Sequence, residues 1–175
     1  MPGIRPAILY ITMALERATF AAGCFWGVQD AFNEVKGVKS TVAGYSGGRT
    51  RNPTYEEVGE DETGHAQAVC VEYDPEEVSY RELLNISWSI HDPTSKNCQG
   101  PYFGTRYRCA IFCHNEQQKN AAEKTLTEEQ KKYKRKITTS IVPAGIFYPA
   151  DERHQHYLQK NKGTPSSVSP LRRRK

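Results

Sequence analysis

Long apolar segments are missing from this 175-residue sequence. No run reaches the ~18 apolar residues of a membrane-spanning helix, and the apolar segment at residues 8–11 is too short for a signal peptide. CxxC pairs are also missing, and the five cysteines are an odd number, so the sequence favours neither a structural metal site nor a closed disulfide framework. Free thiols are typical of a reducing compartment, and we expect a cytoplasmic protein without a bound metal or cofactor.

A strong excess of charge is lacking as well. The formal net charge is +4, and the four basic residues at 172–175 account for all of it. The rest of the chain is therefore close to neutral, which disfavours nucleic acid as a partner. A nucleic-acid-binding module that uses the tail is the alternative. It predicts salt-sensitive binding that is lost on deletion of residues 163–175.

One domain is expected, because 175 residues are enough to bury a sizeable core. We place this domain at residues 17–162, after an N-terminal extension over residues 1–16 and before a basic tail over residues 163–175 that we expect to be disordered. Apolar periodicity predicts strands at 18–22, 39–43, 66–73, 107–113 and 137–142, and helices that begin near residues 25 and 79 and span residues 115–133 and 151–160. Ser79 and Glu82 have the spacing of a capping box at the start of the second helix. This order predicts an α+β protein, a two-layer α/β sandwich with a split β-α-β (ferredoxin-like) core and additional C-terminal elements.

Cys24 lies where the first strand turns into the first helix. The free N–H groups and the dipole at a helix start favour negative charge, so we expect its thiolate to form more readily than that of a free cysteine. The glycines on both sides suit a tight turn and a close approach by another molecule. Phe25 and Trp26 would form an aromatic wall beside the thiol. The alternative is an inert cysteine buried beside two core aromatic residues.

Two long irregular segments, residues 44–65 and 93–106, are predicted to surround this cysteine, since such loops in a compact domain are usually functional. The first segment carries Tyr45 and Glu57, and the second leads to Tyr107. A carboxyl group held among aromatic and aliphatic side chains is desolvated, which favours its protonated form and would suit Glu57 to proton donation. A surface carboxylate and two half-buried packing tyrosines are the alternatives.

Short motifs recur in a fixed order over roughly residues 17–161. They are Gly23–Gly27, Gly44–Gly48, Asn52–Val58, Gly64–Ala66, Tyr73–Pro75, His91–Thr94, Asn97 with Gln99–Gly100, Tyr107–Arg108 and His154–Tyr157. In this order they resemble the peptide methionine sulfoxide reductases of the A type. The resemblance implies thiol-dependent reduction of methionine-S-sulfoxide, free or in proteins, by an enzyme that thioredoxin or another thiol reductant recycles.

The resemblance also implies roles for the candidate residues. Cys24 would attack the sulfoxide sulfur and become a sulfenic acid, the first product of thiol oxidation. Glu57 would protonate the sulfoxide oxygen, because this oxygen is a poor leaving group until it carries a proton. Tyr45 and Tyr107 would bind the sulfoxide oxygen. Phe25 and Trp26 would form the pocket for the substrate methyl group.

The sequence departs from the family pattern in two places. Tyr102 stands in the loop position where many members have an acidic residue, so a hydrogen bond that organises the site is lost or replaced by the phenol. The C-terminal tail contains no cysteine, although members that resolve the sulfenic acid internally commonly use cysteines there. Cys98 in the second loop is our candidate resolving cysteine, and an external thiol is the alternative.

Other functions stay open at this point. Another cysteine-based redox enzyme or a Cys–His hydrolase would also use Cys24, but no spacing ties any of the five histidines to it. A non-catalytic relative that only binds oxidised methionine is a further alternative. We expect a monomer whose partners are oxidised proteins and a thiol reductant, with neither nucleic acid nor a membrane among them.

Overall fold

The computed structural model of the chain describes residues 14–166. The predictions for the part of the N-terminal extension before residue 14 and for the tail from residue 167 lie outside the described residues. The strands are β1 (Glu16–Ala22), β2 (Val38–Ser46), β3 (Ala66–Tyr73), β4 (Cys98–Gln99), β5 (Tyr102–Phe103), β6 (Cys109–Cys113), β7 (Ser140–Pro143) and β8 (Phe147–Pro149). The helices are α1 (Phe25–Asn33), α2 (Tyr55–Gly59), α3 (Tyr80–Ile90), α4 (Glu116–Gln130) and α5 (Tyr157–Lys160), with 3-10 turns at Thr105–Tyr107 and Glu152–His154.

A six-stranded sheet forms the centre of the fold, with the strand order β7-β6-β1-β3-β2-β8. Strand β3 is antiparallel to both β1 and β2 and lies between them, so β1 and β2 run in the same direction and β3 splits the β1-α1-β2 unit. Strand β7 joins the outer edge of β6 in parallel, and β8 joins β2 in an antiparallel pair. The predicted α+β class is confirmed, and β7 and β8 are additional C-terminal elements.

The main core lies between one face of the sheet and the helices α1 and α3. Phe20 of β1 stacks on Phe32 of α1 with ring centroids 5.0 Å apart and on Tyr80 of α3 at 6.3 Å. Burial of an aromatic side chain of this size contributes about 1.5–3 kcal/mol to stability. This packing holds α1, and therefore its N-terminus, in a fixed place above the sheet.

The opposite face of the sheet carries mostly small residues. Successive side chains of a strand point to opposite faces, and Ala21, Ala68 and Ala110 form a second cluster there with Phe112. Phe147, which follows β7 along the chain, packs against this cluster. The two faces therefore differ, one covered by helices and the other by a short C-terminal segment.

Local signals in the sequence identify the helix starts. Ser79 and Glu82 form the predicted capping box of α3, and the Asn115 side chain caps α4 by accepting a hydrogen bond from the Gln118 N–H. The helix predicted at 115–133 ends earlier, at Gln130. Within residues 14–166, no helix has the length and apolar character that crossing a bilayer requires.

The C-terminal elements differ most from the prediction. The strand predicted at 137–142 begins at Ser140, because the Thr138 N–H donates to the Pro93 carbonyl oxygen at 2.7 Å instead of joining the sheet. The helix predicted at 151–160 is interrupted at His156, whose φ of 51° is left-handed. Tertiary hydrogen bonds override the local helical pattern in this segment.

Candidate active site

Cys24 lies at the N-terminus of helix α1, in the turn that follows strand β1. Gly23 allows this turn, because its φ of 95° lies in the left-handed region that favours glycine. Cys24 is only 5% exposed, and burial raises the pKa of its thiol to about 11 against the opposing effect of the Trp26 and Gly27 N–H groups. The expectation of a readily formed thiolate is therefore wrong for the substrate-free protein, since desolvation outweighs the helix terminus. At neutral pH Cys24 is a thiol that carries its own proton.

The Gln67 side chain reaches the same turn from the start of strand β3. Gln67 is 2% exposed, and its Oε1 accepts a hydrogen bond from the Phe25 N–H at 3.1 Å. This N–H belongs to the first turn of α1 and has no acceptor within the helix. The bond leaves the two amide N–H donors of Gln67 for another partner. Sequence reasoning missed Gln67, because a polar residue in an alternating strand gives no signal of the element that it will meet.

Tyr55, Tyr102 and Tyr107 form a group of phenols next to Cys24. The Tyr102 and Tyr107 rings lie 5.2 Å apart. Burial, then Tyr107 and then Cys24 raise the pKa of Tyr55, whereas burial, then Cys24 and then Tyr107 raise the pKa of Tyr102. Both phenols therefore lie close enough to Cys24 to interact with it electrostatically, and both stay protonated at neutral pH.

Asp61 fixes the turn that carries Tyr107. Its carboxylate accepts hydrogen bonds from the Thr105 N–H at 2.9 Å, the Thr105 hydroxyl at 2.7 Å and the Arg106 N–H at 3.0 Å. Burial acts to raise the pKa of Asp61, but the bonds from Thr105 and Arg106 outweigh it and lower the pKa. The Arg106 guanidinium lies over the Tyr107 ring, 4.5 Å from its centroid. Tyr107 is therefore held in a turn and not in the strand predicted at 107–113.

An aromatic wall lies beside the thiol and contains the predicted pair Phe25 and Trp26. Trp26 stacks on Tyr157 with centroids 3.8 Å apart, and its Nε1 donates a hydrogen bond to His154 Nδ1 at 3.2 Å. His154 in turn stacks on Tyr55 at 4.1 Å, and burial lowers the pKa of His154. The imidazole is thus neutral and carries its proton on Nε2. Sequence reasoning assigned no role in the site to His154 or Tyr157.

A buried amide network attaches this wall to the rest of the fold. Gln29 Nε2 donates to Gln155 Oε1 at 3.2 Å, and Gln29 Oε1 accepts from the His156 N–H at 2.8 Å. Gln155 also accepts from the Ala43 N–H at 2.9 Å and donates to the Ala43 carbonyl oxygen at 2.8 Å. Buried amides require such partners, and these bonds fix the segment that carries His154 against α1 and β2.

Glu57, the predicted acid, lies at the surface, whereas Tyr45, one of the predicted oxygen-binding residues, packs against the aromatic wall. Glu57 is exposed in α2, where its Oε2 accepts a hydrogen bond from the Thr54 N–H at 2.9 Å and completes a capping box. The predicted desolvation of this carboxyl is therefore wrong, because the side chain turns back to the helix terminus at the surface. Tyr45 packs its ring against Phe25 at 5.7 Å, and its buried hydroxyl has no hydrogen-bond partner among the described residues. Tyr55, two residues before Glu57, is the part of this motif that neighbours the thiol.

Cys98 lies in the hairpin of β4 and β5. Its side chain is half-buried, and the thiol donates to the Gly100 carbonyl oxygen at 3.5 Å. Gln99, the next residue, pairs with Tyr102 across the hairpin, so the hairpin connects Cys98 to the group of phenols. All five cysteines are free thiols.

The comparisons with known proteins agree in one family. A family model described as "Peptide methionine sulfoxide reductase" matches residues 16–174. The peptide methionine sulfoxide reductase MsrA of Methanosarcina acetivorans is 55% identical over 148 residues, which cover 83% of this chain and 79% of that protein. The structure of Mxr1 from Saccharomyces cerevisiae in reduced form superposes with a TM-score of 0.85 at 32% identity, over 95% of this chain and 97% of that one. Mxr1 in complex with Trx2 superposes with a TM-score of 0.59 at 28% identity, over 88% and 92% of the two chains. The chain belongs to the peptide methionine sulfoxide reductase family.

Proposed function

We propose that this chain reduces methionine-S-sulfoxide, free or within proteins, with Cys24 as the nucleophile and neighbouring phenols as hydrogen-bond and proton donors. One observation carries the proposal. A buried thiol lies in a turn whose Phe25 N–H is bound by the Gln67 amide, and it interacts electrostatically with the phenols of Tyr55 and Tyr102 beside an aromatic wall. Tyr107 lies next to Tyr102 in the same group. Membership of the family supports the class of reaction, and these residues account for how it proceeds.

In the first step the Cys24 sulfur attacks the sulfoxide sulfur while the sulfoxide oxygen takes up a proton. The sulfur–sulfur bond formed in this attack and the sulfur–oxygen bond of the substrate then both break as the oxygen bonds to the cysteine sulfur, and the products are methionine and a sulfenic acid. The cysteine sulfur loses two electrons and the methionine sulfur gains them. The thiol proton ends on the sulfenic acid oxygen, so this half-reaction needs no further reactant.

The raised pKa of Cys24 suits this chemistry in a specific way. A neutral thiol brings the proton that the sulfoxide oxygen needs, and the phenols can relay it from sulfur to oxygen. Tyr55 and Tyr102 stay protonated at neutral pH because burial raises the pKa of each. Donors held in place in a dry site stabilise developing negative charge more strongly than water does. The Gln67 amide offers a further donor on the side of the turn.

The aromatic wall would bind the substrate methyl group. Trp26 is held by its stack on Tyr157 and by the hydrogen bond from its indole N–H to His154, so its exposed part is apolar. A sulfoxide sulfur carries an oxygen, a methyl group and the rest of the side chain in a fixed hand. Only one epimer can place its oxygen at the phenols, its methyl group at the wall and its sulfur at Cys24. The family resemblance implies that this epimer is the S epimer.

Recycling requires a second thiol. In our proposal Cys98 attacks the sulfenic acid at Cys24, a disulfide forms, and water leaves with the sulfenic oxygen. Thioredoxin then reduces the disulfide through its own dithiol. The half-buried position of Cys98 on the hairpin that carries Tyr102 supports this role, and the existence of a complex between the relative Mxr1 and Trx2 supports thioredoxin as the reductant.

Single-turnover reduction of the S and R epimers of a methionine sulfoxide peptide, without added reductant, tests the proposal. We expect one methionine per chain from the S epimer, with two thiols lost by thiol counting and intact mass. A Cys98→Ser variant should give the same yield and leave a trappable sulfenic acid at Cys24. The absence of methionine from either epimer would contradict the assignment of the site, and unchanged turnover of Cys98→Ser with thioredoxin would contradict the resolving role.

The monomeric state and the cytoplasmic location stay predictions from the sequence. Light scattering of the full chain and fractionation of the source cells test them separately.

A further inference from the structure

A cavity of about 480 Å³ lies on the sheet face opposite α1 and α3. Its wall includes Ala110 and Phe112, which belong to the cluster of small residues on that face. Ile111, between them along β6, points the other way into the main core. The sheet therefore separates this cavity from the core that supports the Cys24 turn.

The lining of this cavity is cationic. Arg49, Arg51 and Arg108 contribute to it together with His65, and the residues that line it include no aspartate or glutamate. Arginine side chains present planar sets of donors that match the oxygens of phosphate and carboxylate groups. A cavity with this lining is suited to an anion.

The distribution of ion pairs sets these arginines apart. The part of the chain that the structure describes contains eight arginines, and five of them form ion pairs with carboxylates, namely Arg17, Arg81, Arg106, Arg135 and Arg153. The three that form no ion pair with a described carboxylate are the three that line the cavity. Elsewhere the fold neutralises its guanidinium groups with carboxylates, whereas the acceptors of Arg49 and Arg108 are neutral backbone carbonyl oxygens.

Arg108 is held in place without being neutralised. Its guanidinium donates to the Thr105 carbonyl oxygen at 3.1 Å and to the Gly47 carbonyl oxygen at 3.4 Å. Asp61 acts on it only electrostatically, since the oxygens of that carboxylate accept hydrogen bonds from Thr105 and Arg106. A half-buried cation with neutral partners gains most from a bound counter-charge.

The cationic surface continues past Arg108. An adjoining cavity of about 440 Å³ shares Arg108 and Ser140 with the first and adds Lys96 and Lys136, again without an aspartate or glutamate in its lining. The two cavities adjoin at Arg108 and Ser140, but the lining of this one also includes Ile137 of the main core. The first cavity, with Arg49, Arg51 and Arg108 in its lining, is called the arginine cavity. A ligand that carries several negative charges matches three arginines in one cavity better than a single charge does.

We propose that the arginine cavity is a binding site for a polyvalent oxyanion, a small molecule that carries several phosphate or carboxylate groups. Arg49, Arg51 and Arg108 bind its charged groups. This function is separate from sulfoxide reduction, because the arginine cavity lies on the sheet face opposite the core that supports Cys24.

Isothermal titration of the full chain with inorganic tripolyphosphate in 0.15 M NaCl tests the proposal. We expect saturable binding of one ligand per chain, about tenfold weaker in Arg49→Ala and in Arg51→Ala, because each variant removes a charge-assisted hydrogen bond to the anion. Arg81→Ala is the matched control, since Arg81 is a surface arginine that pairs with Glu128, and it should bind as tightly as the unchanged chain. Titration with citrate distinguishes phosphate from carboxylate as the preferred group.

Three results would overturn the proposal. They are an absence of saturable binding by either anion, equal weakening by Arg81→Ala, and a single-stranded RNA that binds more tightly than tripolyphosphate through the same arginines. The methionine yield of Arg49→Ala and Arg51→Ala should equal that of the unchanged chain. A failure of anion binding is therefore distinguishable from a failure of the proposed reductase site.

Discussion

Two neighbouring regions of the sheet each hold a buried thiol, and their surroundings differ. Cys24 follows β1, and Cys109 opens β6 opposite Ala22, two residues before Cys24. Both cysteines are 5% exposed, and burial raises the pKa of Cys24 to about 11 and that of Cys109 to about 12. Helix N–H groups, phenols and an aromatic wall surround Cys24. At Cys109, the Gln99 side chain is the group that lowers the thiol pKa against the effect of burial. Burial and a raised pKa thus do not distinguish the two thiols, and the neighbouring proton donors do.

Replacement of each of these cysteines by serine is expected to give the largest difference in methionine yield. We expect Cys24→Ser to lower the single-turnover yield of methionine by at least ~10³-fold, because a hydroxyl at this position is a poor nucleophile toward sulfur. Cys109→Ser should stay within about twofold of the unchanged chain. The comparison fails if both variants lose the same activity.

A carboxyl group introduced beside Cys24 should increase the rate of sulfoxide reduction and so widen the difference between the Cys24 and Cys109 regions. Gln67 supplies an amide at this position, and an amide is not an acid at neutral pH. We expect Gln67→Glu to accelerate sulfoxide reduction by about 10²-fold, the lower end of the usual gain from a general acid. Burial would keep the new carboxyl partly protonated near neutrality, so the gain should decline as pH rises.

The matched control is Gln67→Leu, which removes the amide without adding an acid and should slow the reaction. Rates of the two variants between pH 6 and 9 test this prediction. Equal rates for both variants at every pH would show that the phenols alone supply the proton.

Removal of single hydroxyls tests whether the phenols distinguish the two regions. We expect Tyr107→Phe to slow single-turnover reduction by about 10²-fold, as removal of one donor to a developing oxyanion does. Tyr45→Phe is the matched control, because the buried Tyr45 hydroxyl has no hydrogen-bond partner among the described residues and its loss should leave the rate unchanged. A larger loss for Tyr45→Phe than for Tyr107→Phe would restore the original prediction for Tyr45.

The pH dependence of alkylation tests the protonation state of Cys24. A pKa raised to about 11 means that the reactive thiolate is a minor form at neutral pH. The rate of iodoacetamide labelling should therefore rise about tenfold for each pH unit between 7 and 9. Mass spectrometry of a Cys98→Ser background follows this site without labelling at the hairpin. A labelling rate that is flat over this range would indicate a thiolate already formed.

The smallest effect on the rate of reduction is expected at Glu57, which was predicted to be the proton donor of the site. Glu57→Gln should change the rate of reduction by less than about twofold, because the carboxylate caps α2 at the surface. Glu82→Gln is the matched control, since Glu82 completes the other capping box, at α3. Thermal unfolding and turnover of both variants check this, and a large loss of activity confined to Glu57→Gln would place that carboxylate in the reaction.

Signals that depend on residues near one another in the chain led to correct predictions. The capping box of Ser79 and Glu82 begins α3, and the strand-to-helix junction around Cys24 is present because β1 ends at Ala22 and α1 begins at Phe25. The hydrogen bonds and turn geometry behind these features are made within a few residues, so the order of residues determines them.

The composition of the site could not be predicted in this way. Gln67 meets Phe25 across 42 positions of the chain, and the pairing of β1 with β3 decides which residue of β3 reaches the turn. Tyr102 and Tyr107 arrive on a hairpin and a turn that Asp61 holds from another loop. No local pattern contains the information about such long-range contacts.

The sequence by itself determined that a cysteine would follow a strand and open a helix, and that the chain would form an α+β domain with the motifs of this family. The tertiary structure decided which side chains surround that cysteine and which protonation state it has. The helix terminus favours a thiolate over a short range, but burial of Cys24 by the whole fold costs more and raises the pKa of Cys24 to about 11. Desolvation is a property of the packed molecule, because it depends on every element that excludes water from the thiol.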